Sequence, residues 1–312
     1  MKSHILPWTI LLLSAWTSCR QPEPSPSSPA GATTVGPASA DSAPKPPPAW
    51  VYVVPHDVQV KDYFRFMDSL VARYDSVAPY HLDEYLLVRA NPKVLDSLMN
   101  TDYYRRMARG EFVYNQRLLT VLHRGDTLFG PDTALAAGIR RRQALTRIDV
   151  NIPEFRLRIL EGNDTLFSFP VRVGQNKRKY LKTIDRVEDL RTKPGKGKII
   201  RVNKYPVWQD PQTGLKYKVT HRDDGRITKL PQIPWLEAEL DGHRYGQMLH
   251  PTTNPASLGK AYSNGCVGCG EADAWLLYYY APIGTPVVFR YDLNVVNEKG
   301  DTILLKDVYK RR

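Results

Sequence analysis

The stretch Tyr262-Ser263-Asn264-Gly265-Cys266-Val267-Gly268 sets a cysteine among small, turn-forming residues, and His250 lies sixteen residues upstream of that cysteine. A thiol beside a histidine is the arrangement of thiol acyl-transfer enzymes, because the histidine takes the thiol proton while the sulfur attacks a carbonyl carbon. Gly265 removes a side chain that would crowd a substrate and reaches backbone angles that direct N–H groups at an oxyanion. The stretch therefore predicts Cys266 as nucleophile and His250 as base.

These residues resemble the L,D-transpeptidase family, whose YkuD-type catalytic domain carries an upstream His and then Ser/Thr-His-Gly-Cys, a hydrophobic residue, and Asn or Arg. The chain reads Met248-Leu249-His250-Pro251 and then the stretch quoted above. Three positions depart from the pattern. Asn264 stands where the family has its second His, Pro251 where Gly or a polar residue is common, and Gly268 where Asn or Arg is usual.

The flanking sequence extends the resemblance over residues 146–292. Residues 147–160 resemble the opening hairpin of the family and residues 164–174 the strand after it, while Lys193-Pro194-Gly195-Lys196-Gly197 stands where the family has a Thr-Pro-x-Gly loop. The resemblance implies an α+β fold, with a mainly-β L,D-transpeptidase-like catalytic domain behind a small, mostly helical N-terminal module at residues 50–145.

The resemblance also implies the reaction. The thiolate of Cys266 would attack the carbonyl between an L-centre and a terminal D-amino acid of a peptidoglycan stem peptide. The thioester would then pass to an amine, giving a cross-link, or to water, giving L,D-carboxypeptidase trimming. Neither a cofactor nor a metal is expected.

Supporting roles are predicted around this pair. The backbone carbonyl of Pro251 would orient the imidazole of His250, and Asn264 donates a hydrogen bond but cannot titrate. The backbone N–H groups of Gly265 and Cys266 are the oxyanion candidates, and the Ser263 hydroxyl supports the turn. The residues predicted to line the substrate site are Tyr245, Gly246 and Tyr262.

Other interpretations of the cysteine stay open at this point. Cys266 and Cys269 form Cys-Val-Gly-Cys, which fits a disulfide or a thiol–disulfide oxidoreductase, although such motifs belong in a βαβ setting. A zinc site using both thiols and His250 lacks a fourth ligand. A non-catalytic wall-binding lipoprotein with a relic motif is a further alternative. A helix predicted at Glu271 to Tyr280 would favour a thiolate through its dipole.

The N-terminus predicts export. Residues 1–19 combine Lys2, an apolar run from Ile5 to Ala15 and then Cys19, which is typical of a lipoprotein signal peptide with Cys19 lipidated. Residues 20–49 are rich in Pro, Ser and Ala and predict a disordered linker. An ordinary signal peptide that happens to contain a cysteine is the alternative. The expected location is the periplasm or cell envelope, and the lipoprotein interpretation anchors the protein to the membrane.

Charge and pattern complete the prediction. The 312 residues contain 44 Lys and Arg against 32 Asp and Glu, a net charge of +12. An exported protein with no nucleic-acid motif is expected to meet acidic wall polymer or anionic lipid, so nucleic acid is excluded as a partner. Apolar residues recur at helical spacing from Phe64 to Tyr74, and Asn91-Pro92 predicts a helix start. Residues 293–312 are predicted to be a C-terminal extension.

Overall fold

The computed structural model describes residues 47–297 and 299–311. Its helices are α1 Val60–Asp75, α2 Glu84–Ala90, α3 Pro92–Met99, α4 Tyr103–Met107, α5 Thr133–Leu145 and α6 Glu271–Tyr280. Short 3-10 turns occupy Gln116–Leu118 and Pro255–Ser257. The strands are β1 Trp50–Val53, β2 Val58–Gln59, β3 Thr120–Leu122, β4 Thr127–Gly130, β5 Thr146–Asn151, β6 Arg156–Glu161, β7 Asp164–Pro170, β8 Val173–Gly174, β9 Arg178–Leu181, β10 Arg186–Asp189, β11 Gly195–Asn203, β12 Val219–His221, β13 Ile227–Lys229, β14 Trp235–Leu240, β15 Met248–Pro251, β16 Ala261–Ser263, β17 Val267–Cys269, β18 Pro286–Arg290, β19 Asn294–Val296 and β20 Thr302–Leu304.

One eight-stranded sheet organises the second half of the chain, in the order β17-β15-β14-β11-β18-β5-β6-β7. The two outer strands of this sheet are joined through Arg172, which follows β7. Its N–H donates to the Gly268 carbonyl at 2.8 Å, and the Gly268 N–H donates to the Arg172 carbonyl at 3.0 Å. This bridge makes the sheet barrel-like and brings the residue after β7 next to β17.

Helix α6 lies between the sheet and the N-terminal helices. It contacts β14 and β15 on one side and α2 and α3 on the other. Its residues are therefore buried all round, including Trp275, Leu277, Tyr278 and Tyr279. The Tyr63 and Tyr279 hydroxyls, one from α1 and one from α6, are 2.7 Å apart in a shared core. A helix that is buried on every side requires cover on every side, and the sheet and residues 50–145 together supply it.

The predicted α+β class with a mainly-β second half is confirmed. The opening hairpin is β5 paired with β6, and the strand after it is β7. The predicted helix before the C-terminal strand is α6. Pro92 opens α3 as expected, but the side chain of Asn91 does not cap that helix. Its Nδ2 donates instead to the carbonyls of Leu87 and Phe129, at 2.9 and 2.8 Å.

The division into domains stays a prediction. Predicted boundaries at residues 19 and 49, and the proposed lipidation at Cys19, involve residues outside or at the limit of the described part of the chain. Within the described residues, no helix combines the length and apolar character needed to cross a membrane.

Candidate active site

Two adjacent parallel strands bring His250 and Cys266 together. His250 on β15 pairs with Gly268 on β17, and Leu249 pairs with Val267. Side chains alternate between the two faces of a strand, so the face that carries His250 also carries Gly268 and, two residues earlier, Cys266. The opposite face carries Leu249, Val267 and Cys269, which are buried. The strand pairing therefore places thiol and imidazole on one face, outside the core.

The His250 imidazole is held in one tautomer. Its Nδ1 lies 2.7 Å from the carbonyl oxygen of Pro251, and a carbonyl only accepts, so Nδ1 carries the proton and Nε2 is the free acceptor. Burial first, and then the positive charge of Arg172, lowers the pKa of His250 to about 4, while the hydrogen bond to Pro251 opposes the shift. At neutral pH the ring is an uncharged base.

The Cys266 thiol is half-buried and free. Burial raises its pKa, although a backbone hydrogen bond from Met248 and the charge of Arg172 act in the opposite direction. The expected help from a helix dipole is absent, because β17 separates Cys266 from α6, which begins at Glu271. Thiol and imidazole are thus both neutral in the resting site, so proton transfer has to accompany attack by the sulfur.

The turn before Cys266 is fixed by its own hydrogen bonds. Ser263 Oγ donates to the Cys266 carbonyl at 2.6 Å and accepts from the Gly265 N–H at 3.2 Å. Gly265 has φ +112°, which a residue with a side chain rarely adopts. The Gly265 N–H is already used, whereas the Cys266 N–H donates to none of the described residues, so of the two predicted oxyanion candidates the Cys266 N–H is the one left free. Half-buried Asn264 has no hydrogen-bond partner among the described residues either.

Residues that the motif did not predict hold this turn from behind. Thr192 Oγ1 donates to the Gly265 carbonyl at 2.9 Å and accepts from the Gly174 N–H at 2.8 Å. Tyr309, from the C-terminal extension, accepts from the Thr192 N–H at 3.1 Å and donates to the Gly174 carbonyl at 2.8 Å. These hydrogen bonds join residues that are far apart in sequence, so a local motif could not predict them.

Cys269 is a buried core residue. It lies at the end of β17 and not on the helix that follows, α6. Its Sγ donates to the His250 carbonyl at 3.6 Å. Because Cys266 and Cys269 point to opposite faces of the strand and both are free thiols, the arrangement does not favour the redox-pair interpretation. Among the described residues, no three His, Cys, Asp or Glu side chains come together as a metal site would require.

A cleft with a volume of about 350 Å³ opens beside His250. The Trp208 ring lies 5.1 Å from the His250 ring, centroid to centroid, and Arg172, Tyr217 and His221 contribute to the walls. Sequence reasoning missed these residues, although the aromatic-rich segment from Tyr205 to Tyr217 was a visible signal. The predicted substrate residues Tyr245, Gly246 and Tyr262 are exposed. They do not line this cleft, and neither does Cys266, so their role in binding the substrate stays a prediction.

Comparison with known proteins finds a matching family model for a little under half of the chain. Residues 145–289 match the family model described as the YkuD L,D-transpeptidase catalytic domain. No curated protein sequence matches the chain.

Several solved structures are similar to the chain. An L,D-transpeptidase from Mycobacterium smegmatis is 15% identical over 47% of this chain and 58% of its own length, with a TM-score of 0.32. An L,D-transpeptidase from Xylanimonas cellulosilytica is 16% identical over 80% of this chain and 100% of its own, with a TM-score of 0.35. The catalytic domain of an E. faecium L,D-transpeptidase is 15% identical over 46% of this chain and 96% of its own, with a TM-score of 0.30. The chain thus spans little more than half of the M. smegmatis protein.

Proposed function

We propose that the protein transfers acyl groups between peptidoglycan stem peptides through a thioester on Cys266, since residues 145–289 match the family model of the YkuD L,D-transpeptidase catalytic domain. The observation that carries the proposal is the strand pairing that puts Cys266 and His250 on one face, with the tautomer of His250 fixed by the Pro251 carbonyl and its neutral form favoured by burial. We also propose that the protein is located in the cell envelope and anchored to the membrane through Cys19.

Acylation begins with both groups neutral. His250 Nε2 takes the thiol proton as the Cys266 sulfur bonds to the carbonyl carbon of the donor peptide. Negative charge on the former carbonyl oxygen is met by the Cys266 N–H, the donor that the Ser263 turn leaves unused. The tetrahedral intermediate collapses, the C–N bond breaks, and the proton on Nε2 moves to the leaving amine of the terminal D-amino acid.

Deacylation reverses these roles. The amine of a second stem peptide, or water, attacks the thioester carbonyl while Nε2 accepts its proton. The C–S bond breaks and the proton returns to the sulfur, which restores the neutral pair. Transfer to an amine forms a cross-link, and transfer to water trims the stem. Because the lowered pKa of His250 keeps the imidazole unprotonated in the resting enzyme, the base is available from neutral pH down to mildly acidic pH.

The test is intact-mass spectrometry of the purified protein after incubation with a carbapenem, a β-lactam that acylates thiols of this class. We expect one adduct on the wild type and none on Cys266→Ala. His250→Ala should be acylated at least about a hundredfold more slowly, the usual contribution of a general base. Cys269→Ala is the matched control, since it removes the neighbouring thiol on the opposite face and should still be acylated.

A stem-peptide assay then defines the reaction. Incubation with a tetrapeptide donor and an amine acceptor should release the terminal D-amino acid and produce a peptide whose mass is that of donor plus acceptor minus the mass of the free D-amino acid. An adduct that survives in Cys266→Ala, or a wild type that neither reacts with the carbapenem nor releases the D-amino acid, contradicts the proposal. A wild type that is unreactive in both assays favours a wall-binding protein with an inactive motif.

A further inference from the structure

Arg172 lies directly over Gly268 in the candidate site. The two residues are paired through their backbones, so their side-chain positions face the same way as His250 on the next strand. A Cβ added to Gly268 would lie 2.6 Å from Arg172 Nε and 2.9 Å from its Cγ. Gly268 is therefore the residue that leaves room for the Arg172 side chain beside His250.

The guanidinium of Arg172 has no ionic partner. Among the described residues no carboxylate oxygen lies within 4.0 Å of it. Asp223 acts on it only from a greater distance. Its Nη1 donates to Ser257 Oγ at 3.3 Å, and its buried Nε has no hydrogen-bond partner.

A second buried arginine shows how unusual this is. The guanidinium of Arg222 is fully buried, and each of its nitrogens has a partner, including the Glu271 carboxylate at 2.5 Å. Burying a charge is costly unless it is paired and hydrogen-bonded. Arg172 accordingly retains unused capacity to bind an anion, whereas Arg222 does not.

The unused guanidinium faces the cleft that opens at His250. Arg172, His250, Trp208, Tyr217, Thr220 and His221 belong to its lining, and no Asp or Glu does. A guanidinium presents donors in a planar fork that matches a carboxylate, and an aromatic wall excludes water from that contact. The cleft thus combines one positive charge with the base of the proposed reaction.

We propose that Arg172 binds a carboxylate of the acyl-donor peptide and selects donors that carry this group close to the scissile carbonyl. The inference rests on the proposed acyl-transfer function, and it names the donor chemistry that the site accepts. Two carboxylates of a donor meet the description: that of the leaving D-amino acid, and a side-chain carboxylate of the residue before it. Both present the same chemistry to Arg172.

Binding is measured by calorimetry in the Cys266→Ala background, where the donor is not consumed. The three probes are a tetrapeptide with both carboxylates free, the same peptide as its C-terminal amide, and the same peptide with the side-chain carboxylate amidated. We expect one of the two amidations to weaken binding about ten- to hundredfold, the value of a charged hydrogen-bonded contact. The amidation that weakens binding identifies the carboxylate involved.

Substitution of Arg172 completes the cycle. Arg172→Gln should bind the free-acid peptide more weakly than the protein with Arg172 does, by the same factor as the effective amidation. It should bind the peptide with that amidation no more weakly than the protein with Arg172 does. Arg172→Lys should retain part of the preference for the free acid. Arg141→Gln, which removes an exposed arginine on α5, is the charge-matched control and should bind like the wild type. Alkylation of Cys266 by neutral iodoacetamide, measured in the Cys266-containing proteins, reports any effect of Arg172 on the thiol itself.

Binding that is indifferent to both amidations in the wild-type cleft overturns the inference, even where Arg172→Gln fails to fold. Equal losses on all three probes, with slowed alkylation, also overturn it and assign Arg172 to the thiol instead. Failure of the proposed function has a different signature, since the wild type would then bind the free acid selectively without forming a thioester or releasing the D-amino acid.

Discussion

Replacing Arg222 by Met should destabilise the protein strongly at neutral pH. Arg222 Nη1 donates to Glu271 at 2.5 Å, and its Nη2 donates to Gln116 Oε1 at 2.7 Å. Glu271 also accepts from Gln116 Nε2 at 2.6 Å and from the Tyr103 N–H at 3.0 Å. The side chains of Arg222 and Glu271 are 0% and 1% exposed. The substitution would leave a buried carboxylate at the first turn of α6 without its counter-charge.

The magnitude follows from burial. Removing one member of a buried ion pair costs about 3–5 kcal/mol, because the remaining charge is left uncompensated. This is a large part of the roughly 5–15 kcal/mol that stabilises an ordinary domain. Arg226 is the matched control. It forms an ion pair with Asp224 at 3.3 Å, but its side chain is 49% exposed, and an exposed pair contributes about 0–1 kcal/mol.

The stability deficit of Arg222→Met should depend on pH, and the pKa of Glu271 sets the direction. Burial raises the pKa of Glu271 even with Arg222 present, and removal of the positive charge raises that pKa further. A carboxyl whose folded-state pKa lies above its unfolded value stabilises the fold below the unfolded pKa and loses this as pH rises through the folded pKa. The deficit of Arg222→Met relative to wild type should therefore be smaller at pH 5 than at pH 8.

Urea unfolding followed by tryptophan fluorescence measures the deficit, with Arg226→Met and the double variant Arg222→Met/Glu271→Gln alongside. The double variant should be more stable than Arg222→Met at pH 8, because it no longer buries a lone charge. The reasoning is refuted if Arg222→Met unfolds within about 1 kcal/mol of Arg226→Met, a difference typical of surface pairs. A deficit that grows on acidification would refute it as well.

Three further predictions concern the candidate site. The pKa of His250 falls from 6.5 to about 4 on folding, so wild type should lose about 3 kcal/mol of stability between pH 7 and pH 4 through this group. His250→Gln should not show this loss. Urea unfolding of both proteins at the two pH values measures the difference. Gly268→Ala should push Arg172 aside, cost about 1–3 kcal/mol in thermal unfolding, and reduce donor binding as Arg172→Gln does. Cys269→Ser buries a hydroxyl and should cost about 1–3 kcal/mol, yet carbapenem acylation should stay within about twofold of wild type, whereas an oxidoreductase would be inactive.

The part of the fold that sequence predicts is the part written in local pattern. Apolar residues at helical spacing give α1, whose Phe64, Met67 and Leu70 are buried as expected. Alternation gives the β5–β6 hairpin, and the spacing of His250 and Cys266 reflects two neighbouring strands joined by a loop. Each of these signals lies within a short window and depends on one periodicity.

Arg172 could not be found in this way. It lies far from Cys266 in sequence and reaches the site only because the sheet closes on itself through the bridge to Gly268. The available hint was the glycine itself, at a position where the resembling family carries Asn or Arg. A missing side chain beside a nucleophile implies that something else occupies the space, but only the closed sheet identifies what does.

The packing of α6 against the N-terminal helices is a second feature that local sequence does not predict. Helix α6 buries Trp275, Leu277, Tyr278 and Tyr279, which point in different directions around the helix axis. Such a helix needs cover from another part of the chain, and α2 and α3 provide it. Since Glu271 at the start of α6 is also bound by Tyr103 and Gln116, residues 50–145 take part in positioning the helix that follows the Cys266 strand. A chain beginning at Thr146 would lose that cover and leave both Arg222 and Glu271 with fewer partners, so residues 50–145 stabilise the candidate site although none of the predicted reacting groups lies in them.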